Sequence, residues 1–509
     1  MERELKLQID SKDLGSVRQA PLLAPARKAT ARPKLLTSTY FDTPDLAIHG
    51  CKASLRVRAV GRERMQTLKL DGAINAGVFD RDEFEMPVDR DVPNLKLLHD
   101  AIPADTDCGK LVHDSSVAAR LAPVFVTRIH RSTVDLKLPS GDEIEAALDE
   151  GTVQADTGST PIASVELELK RGKPQSLYTV ALELLDSAPL RIEHRSKADV
   201  GYELLVAQHE DAVKATPVRM KKRDSVEEAF CTIARNCLAQ VNANERGVVS
   251  GHDPSCVHQM RVGLRRLRSA LDLFAKVIPA YAGLDDELRW IAGELGAARD
   301  WEVLAGATLS QAGVDGKEEG IRAVREASGQ VAVNNRQRAA DAVNSVRYTR
   351  VLLRLTLWLE TRGWREAVTD EQRAAIDGPV VKFGAKVLRI RHRKLVKRGE
   401  RLADLDDHRR HRARIAAKKV RYATEFFASL YPKSAVRHYI DGLASLQDDL
   451  GWRNDAVVAD KLLLDLSRTA PETIQGAAFA RGYLASRVAA DHHTLKALWK
   501  GFRRLSPPQ

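Results

Sequence analysis

Cysteine is scarce in this chain. Five occur in 509 residues, at 51, 108, 231, 237 and 256, with no CxxC pair and no spacing of a zinc site. That excludes a disulfide scaffold and predicts free thiols in a reducing, cytoplasmic setting. The histidines include no HExxH or similar metal-ligand spacing. Aromatic residues make up 5% of the chain, and the helical repeats carry few aromatics for stacking and no groove-reading motif. Nucleic acid is therefore not an expected partner. Long apolar runs are also missing. Even Val351 to Leu359 contains Arg354, and a membrane span needs about 18 apolar residues. The N-terminus is charged from Glu2 onward, so neither a leader nor a membrane partner is expected.

Charge is abundant and unevenly spread. Residues 1–210 hold 28 Lys+Arg against 33 Asp+Glu, a balance of −5; residues 211–509 hold 52 against 36, or +16. A mildly acidic half precedes a basic half suited to a polyanion. At this length two to four domains are expected.

The first half reads as short strands separated by turns. In Glu2-Arg3-Glu4-Leu5-Lys6 the charges at 2, 4 and 6 share one face of an extended strand, and Leu5, Leu7 and Ile9 the other. Two carboxylates and an ammonium in line suit a hard divalent cation beside a phosphate. Later strands repeat the pattern: Leu55-Arg56-Val57-Arg58, Thr67-Leu68-Lys69-Leu70, Arg81 to Met86, Glu143 to Asp149, and Ser164 to Lys170, which restates E-x-E-x-K. Arg195 and Lys197 again lie in phase. Arg128 and Arg131, three apart, need a bulge or twist to point together. An antiparallel barrel with a charged lumen and an aliphatic outer wall accounts for both faces. Its two clusters of opposite sign call for a ligand, or for each other.

The opening ExExK, Ser38 to Asp42 running into Thr43-Pro44, LRVR at 55–58, ELELK at 166–170 and HRSKADVGY at 194–202 resemble the CYTH domain of the triphosphate tunnel metalloenzymes. The resemblance covers about 1–205. It implies an eight-stranded antiparallel tunnel that hydrolyses or rearranges triphosphates with Mg²⁺ or Mn²⁺. It further implies metal ligation by Glu2, Glu4, Glu166 and Glu168, triphosphate binding by Lys6, Arg56, Arg58, Lys69, Arg128, Arg131, Lys170 and Lys197, and catalysis by Glu2, Glu166 and Lys6. Which carboxylate activates water stays open. Adenylate cyclases share this tunnel, but no motif for an adenine and ribose is present.

After a linker at 206–222 the periodicity becomes helical. His258-x-x-Arg261-Val262-x-x-Arg265-Arg266-Leu267-Arg268 recurs 153 residues on as His411-x-x-Arg414-Ile415-x-x-Lys418-Lys419-Val420-Arg421, and Phe230 falls on Phe383. Leu295-Gly296-x-x-Arg299-Asp300 is answered by Leu450-Gly451-x-Arg453-Asn454-Asp455. On a helical wheel the histidine and three cations of each copy share an arc beside an apolar stripe, with Arg266 and Lys419 outside both. Neither copy has an acid within that arc, so each face is expected to repel itself until an anion arrives.

These copies resemble the CHAD domain, over about 220–500. The resemblance implies two pseudo-symmetric four-helix bundles, at 223–365 and 375–505 within a helical domain of 223–505. It also implies polyphosphate contacts from His258, Arg261, Arg265, Arg266, Arg268, His411, Arg414, Lys418, Lys419 and Arg421. The expectation is an α+β multidomain protein: a tunnel that cleaves inorganic triphosphate, joined to a helical domain that binds inorganic polyphosphate or targets polyphosphate granules. The alternatives are a non-catalytic polyphosphate scaffold and an adenylate cyclase.

Overall fold

The computed structural model describes residues 2–24, 33–70, 72–75, 77–206, 210–312, 319–490 and 492–509. The chain forms two compact units, one of 1–209 with 344–361, the other of 210–343 with 362–509. Among the described residues no helix is long and apolar enough to cross a membrane.

The first unit is built on an antiparallel sheet: β1 (Glu2–Gln8), β2 (Lys34–Asp42), β3 (Ala53–Val60), β4 (Glu63–Leu70), β5 (Ala73–Asn75), β6 (Val78–Arg81), β7 (Glu83–Pro87), β8 (Ala122–Lys137), β9 (Glu143–Ala155), β10 (Gly158–Arg171) and β11 (Arg191–Ile192). The order is β5-β6-β1-β10-β9-β8-β2-β3-β4-β7, with β11 beside β1. Residues 78–87, expected to include one continuous strand from Arg81, break at Asp82. The first part pairs with β1 (Glu2↔Arg81) and the second with β4 (Lys69↔Glu83). This broken strand joins the two ends of the sheet, so eight staves enclose a nearly closed barrel.

Alternation explains why the wall is apolar outside and charged inside. On β1, Leu5 and Leu7 are fully buried in the outer core while Glu4 and Lys6 face the lumen. On β3, Leu55 and Val57 pack outward and Arg56 and Arg58 inward. Each fully buried aliphatic side chain contributes about 1.5–3 kcal/mol, and a charged inner face has no comparable source of stability. The outer core is covered by α1 (Gln175–Leu184), while α2 (Lys197–Leu205) packs on a second cluster around Phe125 and Tyr202.

The second unit is helical. Its main helices are α3 (Val226–Asn242), α4 (Pro254–Phe274), α5 (Leu284–Val303) and α6 (Glu319–Val343) and, after α7 (Val346–Glu360), α8 (Val380–Arg398), α9 (Asp407–Phe427), α10 (Lys433–Thr469), α11 (Ile474–Ala490) and α12 (His492–Phe502). Ser225 and Glu228 form the capping box that starts α3. Consecutive helices pack in both sets, α3 to α6 and α8 to α11. The 153-residue shift survives in three dimensions: Phe230 packs on Phe274 at 5.2 Å, and Phe383 on Phe427 at 6.3 Å.

One helix departs from the expected division. α7 lies inside the stretch assigned to repeat one, 223–365, yet folds with the first unit. Its apolar face explains why. Leu353 is fully buried in the core under the barrel, with Val346 and Leu357 packed against it, and Arg350 reaches Asp186 at 2.9 Å.

Candidate functional site

The barrel encloses a cavity of about 570 Å³. Of the expected tunnel residues, Glu4, Lys6, Arg56, Arg58, Lys69, Arg131, Glu166, Glu168, Lys170 and Lys197 line it. Strand register sets out an acid row, with Glu4 opposite Glu168 across β1 and β10, and Glu168 opposite Glu145 across β10 and β9. Lysines bridge that row. Lys6 lies 2.9 Å from Glu4 and 3.4 Å from Glu166, and Lys170 lies 2.7 Å from Glu168 and 3.7 Å from Glu145.

Deeper in the lumen, Lys197 is 2.7 Å from Asp149 and 2.6 Å from Glu166, and Arg131 reaches both carboxylates at 2.5 Å. Burial alone pushes the Glu166 carboxyl up, but Lys197, Lys6 and Arg131 outweigh it and hold the group well below the usual carboxylate range. Burial likewise opposes the Lys6 charge, and Glu166 and Glu4 reverse that, raising its pKa.

On the opposite wall Glu83 pairs with Arg56 at 3.4 Å and with Lys69 at 2.8 Å. Arg58 makes no ion pair among the described residues, and its Nε donates to Ser38 Oγ at 3.3 Å. The neighbouring Arg56 guanidinium, burial and Arg131 push its pKa down to about 10. A half-buried cation held beside cations is relieved electrostatically by a nearby negative charge. Sequence reasoning missed Tyr40, which also lines the lumen and stacks on Phe125 at 4.5 Å. Burial raises its phenol, but Arg56, Arg58 and Lys197 overcome this and lower its pKa. Its only signal was its phase with Ser38, because a tyrosine in a strand otherwise reads as core.

Four expectations need correction or limit. Arg128 points out of the barrel and donates to Gln154 at 3.1 Å. β8 and β9 stay in register from Val126 to Lys137, so no bulge turns it in beside Thr127, Ile129 and Arg131. Arg195 pairs with Glu193 at 2.8 Å and Glu203 at 3.1 Å instead of lining the lumen. Lys197 reaches the lumen from the first turn of α2, not from a strand. Ser196 and Asp199 cap that helix, and Gly201 gives it room, since a Cβ there would collide with the Phe125 ring. The side chain of Glu2 lies outside the described residues.

Among the described residues no three acids, histidines or cysteines converge into a metal cage. The acid row nevertheless offers what a hard cation requires: oxygen donors on adjacent strands in direct register.

In the helical unit a cleft of about 1,580 Å³ is lined by both copies of the motif, including all ten expected residues. They are not equivalent. The absence of local acids on each helix misled the expectation of a self-repelling face, because neighbouring helices supply several and α9 adds one of its own. Arg261 pairs with Asp300, Arg268 with Asp285, Lys419 with Asp272, and Arg421 with Glu425. Arg266 is a structural residue, buried and bonded to Gln240 at 2.9 Å and Asn236 at 2.8 Å. His411 shares a hydrogen bond with Asn454 at 2.7 Å.

What stays uncompensated is the centre. Arg265 donates to the Tyr422 hydroxyl at 2.5 Å, and among the described residues Arg414 and Lys418 have no carboxylate at ion-pair distance. Burial, Arg265, Arg414 and Arg261 push Lys418 down to about 6. Burial and Arg299, with Arg265, Arg261 and Lys418, push His258 down to about 4. Arg299 was not among the expected contacts, although it lines this cleft. Its place in the duplicated Leu-Gly-x-x-Arg-Asp element was the available signal.

The tunnel and cleft agree with comparisons to known proteins. Residues 1–202 match the CYTH domain family, and residues 232–464 match the CHAD domain family. The chain is a CYTH domain joined to a CHAD domain. An inorganic triphosphatase of Haemophilus influenzae is 29% identical over 168 residues, 33% of this chain and 45% of that protein, so the chain spans under half of that relative's length. The CHAD domain from the plant Ricinus communis is 39% identical with a TM-score of 0.54, covering 59% of this chain and 99% of that one. PptA from Streptomyces chartreusis is 18% identical with a TM-score of 0.39, covering 55% of this chain and 99% of that one.

Proposed function

We propose that the tunnel hydrolyses inorganic triphosphate with Mg²⁺ or Mn²⁺, and that the helical unit binds inorganic polyphosphate or tethers the enzyme to polyphosphate granules. One observation carries the reading: Arg58, a half-buried cation with no ion pair among the described residues, faces the same lumen as an acid row in strand register. A charged lumen of this kind is costly unless a ligand neutralises both walls. The inorganic triphosphatase match supports the choice of reaction.

Arg56, Arg58, Lys69 and Arg131 would orient the phosphates and neutralise their oxygens. Glu4, Glu168 and Glu145 would hold the metal, which supplies Lewis acidity and charge neutralisation when bound. Glu166 is bonded by Lys197 and Arg131 and kept firmly ionised, so its role would be to position water more than to take a proton. Lys6 would pass from Glu4 to a phosphate oxygen.

Parallel assays with tripolyphosphate and ATP, reading phosphate and cyclic AMP, test this function. Metal-dependent phosphate release favouring tripolyphosphate is expected. Cyclic AMP from ATP would support the cyclase, and no turnover with polyphosphate binding intact would support the scaffold.

A further inference from the structure

α8 carries a row of cations that the cleft does not use. Lys382, Lys386, Arg389, Arg393 and Lys397 are all exposed. Steps of four, three, four and four residues keep them within an arc of about 80° and spread them over about 22 Å. No acidic residue occurs anywhere in α8. Among the described residues none of the five has a carboxylate at ion-pair distance, whereas Arg391, on the opposite face, is held by Asp272 at 2.8 Å. None of the five lines the cleft.

The internal duplication provides a comparison. At the 153-residue shift the five positions fall on Ala229, Ile233, Asn236 and Gln240 of α3 and on Asn244 just beyond its end, all uncharged. That face is covered: Ala229, Ile233 and Gln240 of α3 are buried, and so is Asn244 beyond its end. Asn236 donates to the Thr216 carbonyl, and Asn244 exchanges two hydrogen bonds with the Val213 backbone, so the chain entering the unit lies along it. The equivalent face of α8 is open to solvent and has cations at every one of these positions. Cleft histidines and cations occur in both copies; this row occurs in one. Duplication alone does not account for it, and like charges three and four residues apart on a helix repel.

We propose that the row on α8 is a second polyanion-binding surface, separate from the cleft, that takes an extended stretch of long-chain inorganic polyphosphate. The identity of the anion rests on the proposed function of the helical unit. The row has no aromatic side chain for base stacking, which disfavours single-stranded nucleic acid. Ile390 is the only exposed large apolar residue on α8, so there is no face to insert into a lipid surface. A flexible chain with closely spaced charges suits a one-residue-wide convex track. Short anions would occupy the cleft alone, while long ones would engage both surfaces and gain avidity.

The test replaces all five in the full chain, as K382Q/K386Q/R389Q/R393Q/K397Q, alongside a cleft variant, R265Q/K418Q. Circular dichroism melting checks the fold of each. The probes are polyphosphate of several hundred units, tripolyphosphate, a DNA duplex and anionic phosphatidylserine vesicles. The row variant is expected to lose at least tenfold in affinity for the long chain. Its log–log salt dependence should flatten by about 3, consistent with the loss of several counterion-releasing contacts. Cleavage of tripolyphosphate should not change. Unchanged long-chain affinity in a wild type that binds polyphosphate would overturn this surface alone, as would a loss confined to DNA or vesicles. A wild type that binds no polyphosphate would instead overturn the reading of the helical unit, and this inference with it.

Discussion

Glu4 on β1 and Glu168 on β10 stand directly opposite one another, and each already holds an ammonium, Lys6 at 2.9 Å and Lys170 at 2.7 Å. The lysines complete a charge balance that a divalent cation and a phosphate would rearrange. Lys6 also lies 3.4 Å from Glu166, and both side chains are nearly buried. Removing one member of such a set strands the others. Lys6→Met should cost about 3–5 kcal/mol of stability, and adding Glu166→Gln should restore part of it. Urea unfolding of the two single variants and the double variant measures the coupling, and strict additivity would count against it.

Arg58 and Arg128 separate lumen from surface. Arg58→Ala should lower kcat/KM for tripolyphosphate at least 100-fold, since it removes a lumen cation that has no ion pair among the described residues. Arg128→Ala should stay within about twofold, because that side chain contacts Gln154 outside the barrel. Equal losses in the two variants would mean that strand phase does not determine which arginine serves the reaction.

Lys418 predicts a proton taken up with the anion. Its folded pKa of about 6 lies below the ordinary 10.5. Between those values the unfolded state binds more protons than the folded one, so this group's contribution to stability grows as pH rises and is lost as pH falls through about 6. A bound polyanion reverses the repulsion and returns the proton. Calorimetry of polyphosphate binding at pH 7.5, in buffers of different ionisation enthalpy, should show net uptake that Lys418→Arg abolishes. His258, held near 4 against its ordinary 6.5, stays neutral there and should add nothing to that uptake.

α7 predicts that the first unit does not end where its strands end. Leu353→Ala should lower the stability of that unit by about 2–5 kcal/mol, because it opens a cavity under α1 and the sheet. Hydrogen exchange along β1 and α1 reads this directly. Unchanged protection there would show that α7 is dispensable to the barrel core.

Legibility followed periodicity. Period-2 alternation placed Glu4, Lys6, Arg56, Arg58, Lys69, Glu166 and Glu168 in the lumen, because the apolar residues between the charges fixed which face was which. It gave no guide where the phase was broken. Arg128 and Arg131 cannot share a face of an unbulged strand, and Lys197 enters from the first turn of a helix. In the helical unit the repeat placed both basic helices on one cleft. Their partners Asp272, Asp285 and Asp300 were invisible because they come from α5, or from the facing helix of the other copy. The allegiance of α7 was equally hidden: an amphipathic stripe reports that a helix has a partner, not which one.

The most direct measurement is phosphate release from tripolyphosphate in Mg²⁺ or Mn²⁺, comparing the natural protein with Glu4→Gln. The account predicts rapid, metal-dependent release that the substitution reduces at least 100-fold while the protein stays folded. Release that is independent of metal, or undiminished in Glu4→Gln, would contradict it.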